Sequence, residues 1–132
     1  MSKVRVKFPN PRIVALGILR GEFPSAHFGT ILPDARLADD QGLPYVRVSV
    51  DGRSGQYPVT AEAAVRVQVW TATEKEGEDL AEEMKAVLLA FPGSAEVRNF
   101  AEGVGPLPTT DPDTGNPLSY FTATVRLRPI PF

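Results

Sequence analysis

The chain has no cysteine and only one histidine and one tryptophan. Without cysteine there is no disulfide framework and no thiolate metal site. The single histidine, His27, has no histidine or cysteine partner. A catalytic base needs a positioned nucleophile and an orienting group, and the local sequence supplies neither, so His27 reads as an ordinary surface or half-buried side chain. Also missing are an apolar run long enough to span a bilayer and a basic-then-apolar leader. The expectation is a soluble protein, with no membrane partner, that stays in the compartment where it is made. A strong excess of one charge is absent as well. Fourteen Lys and Arg face sixteen Asp and Glu, giving a formal charge of −2. A DNA-coating protein concentrates basic charge, so DNA is at most a molecule in transit.

What is present fits one domain over residues 1–132, of ordinary apolar content at 42%. Thirteen prolines and eleven glycines belong in loops, since Pro lacks an amide proton and Gly weakens element interiors. The strongest pattern is strict alternation. Val46, Val48 and Val50 oppose Tyr45, Arg47 and Ser49, and Val65, Val67 and Val69 oppose Arg66, Gln68 and Trp70. Near the end, Phe121, Ala123, Val125 and Leu127 oppose Tyr120, Thr122, Thr124, Arg126 and Arg128. This is the signature of a sheet with one core face. Asp51 to Gln56, including Arg53, supplies turn chemistry and predicts a long-looped antiparallel hairpin. Weaker strands are expected at Lys3–Phe8, Ala26–Leu32 and Ala95–Val104, with loops at 34–42 and 105–117.

Two helices are expected. Asn10-Pro11 is an N-cap followed by a first-turn proline, ahead of a short helix with Ile13, Val14, Leu16 and Leu19, ending at Arg20-Gly21. Thr73-Glu74-Lys75-Glu76 is a capping box, with acidic residues at the positive end of the dipole. Leu80, Met84, Val87 and Leu88 then form the stripe of a long helix that stops at Pro92-Gly93. The fold class is α+β, a mainly antiparallel β-sheet of about four to five strands packed on one long and one short α-helix.

No other motif carries chemistry. Asp111-Pro112-Asp113-Thr114-Gly115-Asn116 lacks the ligand series and flanking helices of a calcium loop and reads as a turn. The pairs Gly17/Gly21 and Gly103/Gly105 match no phosphate or dinucleotide fingerprint and read as packing and turn glycines. The acidic run Glu74–Asp79 is a solvated helix start. No cofactor, metal or catalytic residue is assigned.

One feature is not absorbed. Arg47, Arg66, Arg126 and Arg128, with Gln68, Trp70 and Tyr120, fall opposite the core face. They form either a plain solvent face or an assembly surface, for which Arg, Trp and Tyr are the enriched residue types.

The segments Phe23–Pro33, Pro44–Val48, Thr60–Trp70, the acidic helix, Gly105-Pro106, Asp111–Gly115 and Tyr120–Arg128 follow one another in a characteristic order. In that order and texture, over roughly residues 11–128, the chain resembles the small tail terminator (tail completion) proteins of long-tailed phages. The basic Lys3–Phe8 strand departs from the helix-first start of that family. The resemblance implies a virion structural protein and no enzyme: a ring, usually a hexamer, on the head-proximal end of the tail tube. It would assemble in the host cytoplasm, stop tube polymerisation and present a docking surface to the head connector. The implied partners are other copies of the chain, the tube protein and the connector. Loops 51–58 and 105–117, with Arg53, Gln56, Asp111 and Asp113, join the sheet-face residues as candidate contacts. Alternative readings are a stopper, an adaptor, a tube subunit, or a small oligomeric enzyme or ligand-binding domain.

Overall fold

The structure is a computed structural model and describes residues 4–33 and 42–132. Lys3 and the expected loop at 34–42, Gly42 apart, lie outside the described residues. The fold is α+β. In chain order the elements are β1 (Val6–Lys7), α1 (Pro11–Glu22), β2 (His27–Gly29), β3 (Tyr45–Gln56), β4 (Thr60–Trp70), α2 (Glu74–Leu89), β5 (Val97–Glu102), β6 (Leu107–Thr110), β7 (Pro117–Leu127) and β8 (Ile130–Pro131).

The main sheet is larger than the four to five strands expected from sequence. It has six, in the order β2-β3-β4-β7-β5, with β6 also on β7, and β1 and β8 form a separate two-stranded ribbon. The excess comes from short strands with little alternation to announce them. β6 carries Pro108 and is exposed throughout, so the stretch 105–117 read as loop from its prolines. The sheet is mixed, because β2 runs parallel to β3, pairing His27 with Tyr45 and Gly29 with Arg47. Of the described part of the basic start, residues 4–8, Val6 and Lys7 form a strand, opposite Pro131 and Ile130.

The alternating strands fold as their pattern dictates. β3 and β4 pair in register, Val46 with Val69 and Val48 with Val67, and β4 pairs β7 with Val67 opposite Phe121. These side chains line one face, where α1 adds Ala15 and Leu19 and α2 adds Ala81, Met84 and Leu88 to a common core. The hairpin differs from expectation. Asp51–Gln56 is not its loop: β3 continues through Gln56, passing a bulge between Val50 and Gly52, and the turn lies at residues 57–59. The turn residues within 51–56 serve the bulge and the close pairing at Gly55, where an added Cβ would lie 2.4 Å from the Thr60 carbonyl oxygen.

The helices are closer in length than one long and one short, with 12 and 16 residues. Both start as their caps predict. The Asn10 side chain accepts from the Arg12 and Ile13 amides, with Pro11 opening α1, and Thr73 Oγ1 accepts from the Glu76 amide at 3.3 Å. Within the α1 stripe Leu19 is buried, but Ile13 is 56% exposed and Ala15 takes the inward position.

Residues 103–106 explain how two strands share one side of β7. β5 pairs its far half, from Ala123 to Leu127, and β6 its near half, from Pro117 to Tyr120. The chain between them leaves one ladder and enters the other against the β7 backbone. Gly105 has φ +89°, and a Cβ there would sit 2.6 Å from the Tyr120 carbonyl oxygen. Gly105→Ala is therefore expected to destabilise the fold by about 2 kcal/mol, through left-handed strain and steric overlap. The urea unfolding midpoint measures it, and an unchanged midpoint would mean the crossing segment moves aside at little cost.

Candidate functional site

Both helices pack on the valine face, so the other face of the sheet carries the polar side chains of β3, β4 and β7. Cross-strand register sets them in rows: Arg47, Gln68 and Tyr120; Ser49, Arg66 and Thr122; Ser54, Glu62 and Arg126. Most are half-buried or exposed. No helix among the described residues lies over them.

This face is ordered by its own polar contacts. Arg47 donates through Nε to the Thr30 carbonyl at 3.1 Å and through NH1 to Gln68 Oε1 at 3.0 Å. Arg66 Nε lies 2.9 Å from Asp51 Oδ2, and its guanidinium sits 5.6 Å from the Tyr120 ring centroid. Arg126 Nε and Glu62 Oε2 are 3.5 Å apart. Pairs this exposed contribute about 0–1 kcal/mol each to stability. Their main effect is to hold planar guanidiniums in fixed orientations on the surface.

Two candidate contact residues, Trp70 of the sheet face and Asp111 of the loop at 105–117, are used internally. Trp70 is only 2% exposed: Tyr45 packs on it edge-to-face at 5.6 Å, and its indole N–H donates to Asp111 Oδ2 at 2.7 Å. Asp111 is buried too, and also accepts from the Asp113 amide and the Thr114 hydroxyl. Trp70 and Asp111 thus join the end of β4 to the turn at 111–116, whose reading as a turn holds. Asp113 remains exposed on that turn. Arg128, beyond the end of β7, donates to the Ser94 carbonyl at 2.8 Å and stands apart from the rows. Arg53 and Gln56 lie on the outer part of β3, where every residue from Asp51 to Thr60 is exposed.

Sequence reasoning missed several contributors. Asp51 and Glu62 orient the arginines but read as turn and strand residues. Tyr57, at the hairpin turn, accepts from the Val6 amide at 3.0 Å and ties the arm to β1. Lys85, on α2, belongs to no motif that singles it out in the sequence. It is 7% exposed, with Nζ 2.6 Å from Glu102 Oε2 and 2.8 Å from the Gly105 carbonyl oxygen.

The Lys85 ammonium holds the Glu102 carboxyl below the usual glutamate range, chiefly through their hydrogen bond. A depressed folded-state pKa means that this stabilisation is present above the ordinary glutamate pKa and is lost as pH falls through the folded value. Between about pH 5 and pH 3, wild-type stability is expected to fall more steeply than that of Glu102→Gln. Parallel pH profiles from thermal melts would remove Glu102 from the acid response.

Among the described residues, no group of three His, Cys, Asp or Glu side chains is placed to hold a metal ion. His27 is exposed on β2. In comparison with known proteins, no family model and no curated sequence matches this chain.

Proposed function

We propose that the protein is a structural component of a phage tail, a terminator that assembles as a ring of its own copies on the head-proximal end of the tail tube. The observation that carries this reading is the one-sided sheet. Six strands have both helices on one face, and the other presents oriented arginines with Tyr120. Such residues bury large areas while making directed hydrogen bonds, which suits a protein–protein contact. The projecting arm from Asp51 to Thr60 adds a second candidate contact, because its side chains have no core of their own to cover. The order of elements supplies the resemblance to tail terminators, and the mild net charge of −2 suits a ring through which DNA must slide.

In this mechanism one ring surface docks on the growing tube. The opposite surface offers no site for another tube subunit and receives the head connector instead. Head-to-tail contacts that close by rotation leave no free end within the ring. The protein thus acts in the virion tail, assembled in the host cytoplasm, with the tube protein and connector as partners and no catalytic step.

Electron microscopy of tails assembled with and without the protein tests this. Tails of defined length that join heads are expected in its presence, and overlong tubes or unjoined tails in its absence. A protein whose removal leaves tail length and head joining unchanged is not a terminator. Long tubes formed by the purified protein alone would make it a tube subunit instead.

A further inference from the structure

Charge is divided unevenly over this chain. Helix α2 carries six carboxylates (Glu74, Glu76, Glu78, Asp79, Glu82, Glu83) and two lysines, a formal −4 within a chain of −2, which leaves +2 for all other residues. All six carboxylates are exposed. Of the two lysines, Lys85 is turned inward to Glu102 and Gly105, and Lys75 pairs with Asp79 alone. The outer face of α2 is therefore a band of carboxylates with little neutralisation from its own helix.

An opposite surface lies at the free edge of β3. β2 covers β3 only as far as Arg47, and beyond it a recess of about 610 Å³ opens between β3 and the start of α1. Arg12, Arg47 and Arg53 line it together with Thr30, and among the described residues no carboxylate does. Arg47 is held in place by Thr30 and Gln68. Arg12 and Arg53 have no ion-pair partner among the described residues. The first amides of α1 are already capped by Asn10, so the positive character of the recess comes from the three guanidiniums.

Within one copy, no ion pair among the described residues joins these two surfaces. α2 packs on α1, β4, β5, β6 and β7 with its carboxylates exposed, whereas the recess opens at the free edge of β3. We propose that the recess receives the carboxylates of α2 from a second copy of the chain. Guanidinium forks match carboxylates two bonds at a time, and opposed charge fixes the register of docking. Because the recess opens at the β3 edge while α2 lies mainly over β7, the two surfaces are distinct, so the contact is head-to-tail, and repetition by rotation closes a ring. This inference rests on the ring reading for that closure, and it names the surfaces that meet.

Charge exchange tests it on the purified full chain. In sedimentation at low ionic strength, the wild type is expected to self-associate, and to do so less as salt shortens the screening length. Arg12→Glu/Arg53→Glu and Glu78→Lys/Glu82→Lys are each expected to weaken association about tenfold or more. Mixing these two variants, or combining all four changes in one chain, should restore it. All the altered side chains are exposed or half-buried, and circular dichroism checks that each variant folds. A wild type that stays monomeric at low salt and millimolar concentration overturns the proposal, as does a defect that opposite charge does not rescue. The same variants added to tail assembly separate the two readings. Rescued self-association with no effect on tails sinks the terminator role alone, and normal capping by both unrescued variants sinks this interface alone.

Discussion

Asp111→Ala is expected to lower the free energy of unfolding by about 3 kcal/mol, a large share of the roughly 5–15 kcal/mol that holds a domain together. The carboxylate accepts from the indole of Trp70 at 2.7 Å, the Asp113 amide at 3.0 Å and the Thr114 hydroxyl at 3.2 Å. Its removal leaves the Trp70 N–H, in a side chain 2% exposed, without a partner and out of reach of water. A buried orphan donor costs its full desolvation, where a bond exchanged with solvent costs little. The turn loosens as well. Asp111 backbone groups close it onto Gly115 and Asn116, and the Asn116 amide reaches the Thr71 carbonyl at 3.2 Å. Asp111→Asn keeps an acceptor and should lose only about 1 kcal/mol. Trp70 is the sole tryptophan, so its fluorescence during urea unfolding reports on this junction directly. A loss below about 0.5 kcal/mol for the alanine variant would mean that another group or water takes the indole proton.

That junction also marks where sequence reasoning stopped. Alternation in β3, β4 and β7 was legible because valines at every second position admit only one buried face, and the caps at Asn10 and Thr73 fixed both helix starts. What alternation does not encode is how far along a strand a face stays open. Gln68 and Trp70 share a face two residues apart, yet Gln68 is half-buried beside Arg47 while Trp70 is sealed by Tyr45 and Asp111. The cover comes from residues 25 and 41 positions away, beyond the reach of a local pattern. Two short strands were illegible for a related reason: β6, of four residues, forms on the part of β7 that β5 leaves free, and β8, of two residues, pairs with the equally short β1. In the hairpin, Gly52, Ser54 and Gly55 signalled a turn by type, but the bulge after Val50 uses that flexibility to continue the ladder. Lys85 carried no signal in the sequence, since its burial depends on Glu102 and the Gly105 carbonyl, 17 and 20 positions away.

The sheet-face arginines separate assembly from folding most sharply at Arg66. Its side chain is 40% exposed and bonded to Asp51, itself 37% exposed, so reversing its charge meets a carboxylate in high dielectric. Arg66→Glu should therefore cost about 1 kcal/mol or less in stability. If the face docks on another subunit, the same change buries a carboxylate where a guanidinium belonged. Interface positions of that kind lose about 2–4 kcal/mol, or roughly 30-fold to 1000-fold in affinity. The expectation is a folded protein that no longer limits tail length. Arg47→Glu is a poorer probe, because it also breaks the bonds that tie β3 to Thr30, just after β2, and to Gln68 on β4, so it should lower stability and assembly together. The decisive variant is Asp51→Lys/Arg66→Glu. It rebuilds the internal ion pair with its poles exchanged, so thermal stability should return while tail capping stays lost. Capping restored along with stability would assign Arg66 to the monomer alone and leave the sheet face an ordinary solvent surface.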